Sequence, residues 1–202
     1  QPALNPPPGF VGPHVEARAL IMSDGASLPL MRWAPQGQEP WAVIVALHGM
    51  NDHASSFRLA GPWWAEQGIA TYAFDQRGFG RSPNRGVWAP DTATTEDLRI
   101  CVDLVRQRHP KALITVAGVS MGGSITIAAF ASDRPPAADR VVLMAPGVWG
   151  WSSQPLPNKT ALWLTSHTVG SRVINPPEWV LRNVRASDNT EELIRMGRDP
   201  LM

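Results

Sequence analysis

The chain has 202 residues, 44% of them hydrophobic and 17% charged, with a formal net charge of +1. That length suits one sizeable core and argues against a second full domain, while the balanced charge, without blocks of one sign, offers no electrostatic footprint for nucleic acid or an anionic membrane surface. The lone Cys101 cannot close an internal disulfide, and no apolar run reaches the roughly 18 residues that a membrane-spanning helix needs.

Residues 1–14, opening "QPALNPPPGFVGP", are rich in Pro and uncharged, and read as an extended tether. The start has neither the basic nor the apolar segment of a signal peptide, so an exported origin (periplasmic or lipoprotein-derived) and a cytoplasmic one fit equally well. "VEARALIM" and "LPLMRWA" flank "SDGAS", whose Asp-Gly signals a turn, which predicts a β-hairpin over residues 15–34. "WAVIVALHG" is a continuous apolar run, the pattern of a parallel strand buried on both faces. "SSFRLAGPWWAEQG" predicts a helix closed by Gly68 and interrupted near Pro62, followed by the strand "IATYAFD". "TTEDLRICVDLVRQRHP" predicts a helix that starts on a Thr94–Asp97 capping box and stops at Pro110. "ALITVAGVS", "MGGSITIAAFASD" and "DRVVLMAPG" then predict strand, helix and strand.

Strands alternating with helices imply a mostly parallel sheet with helices on both faces, an α/β fold in which ligands bind at the carboxyl ends of the strands. Three segments of chemical interest fall there: "HGMNDH", "DQRGFGRS" and "GVSMGG". The third contains Gly118-Val119-Ser120-Met121-Gly122, a G-x-S-x-G pattern at a strand-to-helix junction. Such a turn is tight enough that flanking side chains would strike backbone, so Gly is needed at 118 and 122, and Ser120 is pushed out at the positive end of the following helix. A helix-capping Ser in a Gly-rich turn is the plainer alternative.

Taken together, these residues resemble the serine hydrolases of the α/β-hydrolase fold, in the branch that contains monoacylglycerol lipases and lysophospholipases. "LHGMNDHASSF" is similar to that branch's His-Gly-x-x-Glu-His segment, with Asp52 in place of Glu. "FDQRGFGRS" looks like its Asp-x-x-Gly-x-Gly-x-Ser loop, and "GVSMGG" and "MAPGV" match its elbow and the ending of a later strand. The resemblance implies that Ser120 is the nucleophile and that the backbone N–H groups of Met50 and Met121 form an oxyanion hole. It implies loop support from His48, Gly49, Asp52, His53, Gly118 and Gly122, with pocket lining as the alternative for Asp52 and His53, and a bracing role for Asp75 and Arg77 with Gly78 and Gly80. The implied substrate is a small acyl ester, with no metal or organic cofactor. Because Ser stands where haloalkane dehalogenases and epoxide hydrolases carry Asp, those activities are disfavoured, whereas peptidase and thioesterase chemistry stays open.

The core is expected over residues 15–147. Residues 148–198 read as a helical cap, with "ALWLTSHTVG" and "PEWVLRNV" as short amphipathic stretches, and 199–202 as a return toward the core. Trp149, Trp151, Trp163 and Trp179 lie in that cap and are candidates to line an apolar acyl pocket, with packing of cap onto core as the alternative. An apolar cap also leaves peripheral contact with a lipid surface open.

The family's order is Ser, then an acid, then His, with the last two after further core strands beyond the cap. Here the one His after Ser120 is His167, inside the cap, so the C-terminal strands of the fold are expected to be missing from this chain. The favoured explanation is a fragment whose C-terminal remainder docks as a separate chain. A chain cut short at Met202, and a natural short form that binds an apolar ligand without hydrolysing it or that recruits His167, are the alternatives.

Overall fold

The computed structural model describes residues 6–148, 150–168 and 187–202. The chain divides into two compact units, Gln1–Val148 and Trp149–Met202.

The first unit is built on a mixed sheet of seven strands among the described residues: β1 (His14–Val15), β2 (Ala19–Ile21), β3 (Ser27–Trp33), β4 (Ala42–Leu47), β5 (Ile69–Phe74), β6 (Leu113–Val119) and β7 (Arg140–Met144). Their spatial order is β1-β2-β3-β5-β4-β6-β7. The first three run antiparallel to one another and β3 joins β5 antiparallel, whereas β5, β4, β6 and β7 are parallel. The hairpin predicted over 15–34 is therefore β2 and β3, with Leu20 opposite Leu28, and β1 is an added edge strand that carries no sequence signal of its own.

Helices α1 (Ala60–Glu66), α2 (Asp91–Arg108) and α3 (Met121–Phe130) cover this sheet. Residues of β4 alternate between its two faces. Val43, Val45 and Leu47 pack with Leu98 and Val102 of α2 and Ile125 of α3, while Ile44 and Ala46 meet Phe57 and Trp64 on the other side. Burying each of these larger side chains is worth about 1.5–3 kcal/mol. Instead of one broken helix, residues 54–66 form a 3₁₀ turn (Ala54–Phe57) and then α1, and Pro62 falls in the first turn of α1, where its missing N–H costs no hydrogen bond.

The predicted capping box at Thr94 and Asp97 is not formed. Helix α2 begins three residues earlier, at Asp91, and the Thr94 hydroxyl donates to the Asp91 carbonyl. Asp97 is buried and taken by a stronger partner: Arg77 donates to its two carboxylate oxygens at 2.6 and 2.8 Å, and reaches Asp24 in the β2–β3 turn at 2.6 and 2.9 Å. A charge-assisted, bidentate pair in a low-dielectric setting outcompetes a local cap. Burial pushes the Asp97 carboxyl up to about 6 against the opposing pull of Arg77, and the same guanidinium ties the hairpin turn, α2 and the loop after β5 together.

β7 forms the end of the sheet, with β6 as its neighbour and no strand on its far side among the described residues. Its Val141, Val142, Leu143 and Met144 are all exposed, although they point alternately to both faces.

The second unit contains a 3₁₀ turn (Trp151–Ser153), α4 (Leu156–Thr168) and α5 (Thr190–Arg198). Asn189 caps α5 by accepting the Glu192 N–H, and Arg195 pairs with Glu192 and Asp199 along the helix. The stretch "ALWLTSHTVG" falls largely within α4, whose Leu162, Trp163 and Leu164 are all more than half exposed. The stretch "PEWVLRNV", with Trp179, and Trp149 lie outside the described residues. Among the described residues no helix is long and apolar enough to cross a membrane.

Replacing Arg77 with Met leaves the Asp97 carboxylate buried without its counter-charge. Urea unfolding of the variant is expected to reveal a loss of about 3–5 kcal/mol, and a loss below about 1 kcal/mol would contradict the tying role given to this group.

Candidate active site

Ser120 sits between β6 and α3 with φ 48° and ψ −111°, a left-handed conformation that is costly for a residue with a Cβ. The surroundings hold it there. Its N–H donates to the Met144 carbonyl at 2.9 Å, and its carbonyl accepts the N–H groups of Ser124 at 3.1 Å and Gly147 at 3.0 Å. The elbow is thus fastened to the end of β7.

The two flanking glycines answer to contact distances. A Cβ on Gly118 would lie 2.5 Å from the Gly122 carbonyl oxygen, and one on Gly122 would lie 2.5 Å from the Leu47 carbonyl oxygen and 2.8 Å from that of His48. Strand β4 and the start of α3 therefore touch backbone to backbone. That approach brings the loop after β4 beside the serine, so that a Cβ on Gly49 would stand 3.4 Å from the Ser120 Cβ. Met121 opens α3 and is buried, whereas Met50, in the loop, exposes 57% of its surface.

The loop from His48 to Ala54 is held at both ends by the loop that follows β5. At one end, Gln76 donates its backbone N–H to His48 Nε2 at 2.9 Å and its side-chain amide to the His48 carbonyl at 2.7 Å. At the other, the Asp75 carboxylate accepts the N–H groups of Ala54 at 2.8 Å and Arg81 at 2.9 Å. Gly80 must be Gly here, since a Cβ would overlap the Asp75 carboxylate. Asp52 accepts the His53 N–H at 2.8 Å, and the buried His53 ring lies 3.3 Å from the Ser55 hydroxyl. Both of these bonds lie within the loop and the 3₁₀ turn that follows it. The Phe79 ring stands edge-on to His48, and Trp88 edge-on to Phe79.

Because His48 Nε2 accepts a hydrogen bond, the proton of the neutral ring must sit on Nδ1, which donates to the Gly49 carbonyl at 2.7 Å. Both ring nitrogens are engaged, so His48 is unsuited to act as a base. Gln76 is the contact that reading the sequence missed. It stood inside the quoted "DQRGFGRS", but nothing local marks a Gln whose partner is 28 residues away. Of the four tryptophans considered for an acyl pocket, the two described are Trp151, which is 57% exposed, and Trp163, whose ring stacks on His167 at 4.4 Å. His167 Nδ1 donates to the Trp163 carbonyl within α4. Among the described residues no group of His, Cys, Asp and Glu is arranged to hold a metal ion.

Two measurements follow from this geometry. A Gly122→Ala substitution drives a methyl group into the backbone of β4 and is expected to cost about 1–3 kcal/mol by denaturant titration; an unchanged midpoint would mean the two backbones are not in contact. Burial holds the His48 pKa below its ordinary value, against the pull of the Gly49 carbonyl and of the Asp52 and Asp75 carboxylates. The folded state thus resists a proton that the unfolded chain accepts below about pH 6.5, so this residue's contribution is complete above that pH and is lost as the solution is acidified. Compared with wild type, His48→Asn should flatten the fall in unfolding free energy between about pH 7 and about pH 5, by up to about 1.4 kcal/mol per pH unit. Equal slopes would contradict a buried, neutral His48.

A family model described as serine aminopeptidase, S33, matches residues 38–202. A monoacylglycerol lipase from Mycolicibacterium smegmatis is 33% identical over 117 residues, which make up 57% of this chain and 41% of that protein. A monoglyceride lipase from Rattus norvegicus is 28% identical over 135 residues, 66% of this chain and 44% of that protein. The chain thus matches less than half the length of either relative. In structure it is similar to a soluble variant of monoglyceride lipase from Saccharomyces cerevisiae, with a TM-score of 0.70 at 19% identity over 96% of this chain and 64% of that one. The backbone contacts around Ser120, the strand order and these matches together place the chain in the serine aminopeptidase S33 family, as a monoacylglycerol lipase-like protein of the α/β-hydrolase fold.

Proposed function

We propose that the protein hydrolyses carboxylic esters of apolar acyl groups, of the monoacylglycerol or lysophospholipid kind, through an acyl-enzyme on Ser120. The observation that carries this reading is the strained Ser120 at the head of α3 with the Gly49–Met50 backbone alongside it. Ser120 Oγ attacks the ester carbonyl and yields its proton to a histidine base, and the N–H groups of Met50 and Met121 take up the negative charge that develops on the carbonyl oxygen. The alcohol leaves with that proton, and water, activated by the same base, then releases the acid and frees Ser120. The names of the curated relatives support the ester class, and the exposed apolar residues of α4 support contact with lipid surfaces.

Base and orienting acid belong, in this proposal, to a C-terminal segment of the same protein that lies outside the chain described. Among the described residues of the first unit no histidine is hydrogen-bonded to Ser120: the ring nitrogens of His48 are occupied, and His53 meets Ser55, His109 the Tyr72 hydroxyl and His14 the Gly12 carbonyl among their contacts. The edge of β7, which has no further strand beside it among the described residues and is apolar on both faces, is where that segment would add its strands.

The test is turnover of a p-nitrophenyl ester series by the whole protein and by its Ser120→Ala variant. Medium or long acyl chains are expected to be preferred over acetate, with a loss of at least about 1,000-fold on removing the hydroxyl. Hydrolysis that survives the substitution would overturn the proposal.

A further inference from the structure

The Gly49 carbonyl and the Met50 N–H belong to one peptide unit. In a planar trans peptide these two groups point in opposite directions, so whatever holds the carbonyl also aims the N–H. Here the holder is His48 Nδ1–H, at 2.7 Å. The ring can donate from Nδ1 in its neutral form because Nε2 is kept as an acceptor by the Gln76 N–H. Gln76 is in turn held at two points: its side-chain amide donates to the His48 carbonyl at 2.7 Å, and its own carbonyl accepts the Ser82 hydroxyl at 2.7 Å. His48, Gln76 and Ser82 are all buried, and Phe79 stands edge-on to the imidazole. The Gln76 Oε1 atom has no hydrogen-bond partner among the described residues, a cost that the fold bears to keep this amide in place.

We infer that His48 and Gln76 form a relay that fixes one imidazole tautomer and thereby aims the Met50 N–H at the position where an oxyanion develops. Neither residue touches substrate; both are positioning residues. The inference rests on the hydrolase reading above and adds to it the groups that organise one of its two oxyanion donors. The same peptide borders Ser120 through Gly49, so a small rotation of it moves the donor relative to the nucleophile.

The relay is tested in the whole protein with His48→Leu, His48→Asn and Gln76→Met. His48→Leu removes the donor to Gly49, whereas Asn keeps an N–H near the position of Nδ1. Gln76→Met keeps the backbone N–H but releases the His48 carbonyl. With a misaimed donor, kcat for a p-nitrophenyl ester is expected to fall on the order of 10- to 100-fold in His48→Leu while KM stays within about twofold. His48→Asn should recover most of that loss, and Gln76→Met should lie between. Affinity for an alkyl boronic acid, whose tetrahedral adduct places an oxygen in the oxyanion hole, should drop in parallel with kcat. A uniform rise in KM, or an unchanged kcat in well-folded His48→Leu or Gln76→Met, would overturn the relay. Absence of Ser120-dependent turnover in wild type would instead strike the hydrolase reading. The relay is then decided by the ¹⁵N spectrum of the His48 ring, which is expected to give the Nδ1–H tautomer. An Nε2–H tautomer would refute it.

Discussion

The arrangement around Ser120 depends on a contact between two backbones. Where Gly122 of α3 meets the carbonyls of Leu47 and His48 there is no room for a Cβ, and the same is true where Gly118 meets the Gly122 carbonyl. Remove that closeness and the loop after β4 can no longer lie against the elbow. The rest of the arrangement is a consequence: the serine is forced into φ 48° at the head of α3, and the Gly49–Met50 peptide is brought to the side of Ser120. Strain of this kind persists when its surroundings over-determine it. Here the surroundings are the hydrogen bonds from Ser120 to the end of β7 and from Gly147 and Ser124 back to Ser120.

A second layer keeps the first in register. The loop after β5 fastens both ends of the loop after β4, through Gln76 at His48 and Asp75 at Ala54. Arg77, the next residue, fastens the β5 loop itself to the β2–β3 turn and to α2 through Asp24 and Asp97. Three consecutive residues thus transmit the rigidity of the sheet and of α2 to the place where charge would develop. Preorganised donors are the part of such a site that contributes most, and a chain of hydrogen bonds, charge-assisted at Asp75 and Arg77 and neutral between Gln76 and His48, is a physical means of preorganising them.

The parallel core was legible because its signals are local: continuous apolar runs for β4, β5 and β6, helical spacing for α2, and a Gly-Ser-Gly junction whose residue types admit few other structures. What escaped was non-local. Asp97 read as a capping residue of its own helix, because the guanidinium that claims it lies 20 residues away. Asp24 read as a turn residue, although it also meets Arg77 across 53 residues. Gln76 carried no signal, since a lone Gln gains meaning from the carbonyl and imidazole opposite it. β1, two residues long, is too short to leave a pattern. The elbow was visible as chemistry; the supports that aim its neighbours became visible when the chain was folded.

Whether Ser120 is an activated nucleophile is read by covalent capture. The whole protein is treated with an alkyl fluorophosphonate, and the adduct is located by peptide mass mapping. A single stoichiometric adduct on Ser120, absent from Ser120→Ala, is expected. A folded protein that takes up no label, or takes it up on another residue, would contradict it.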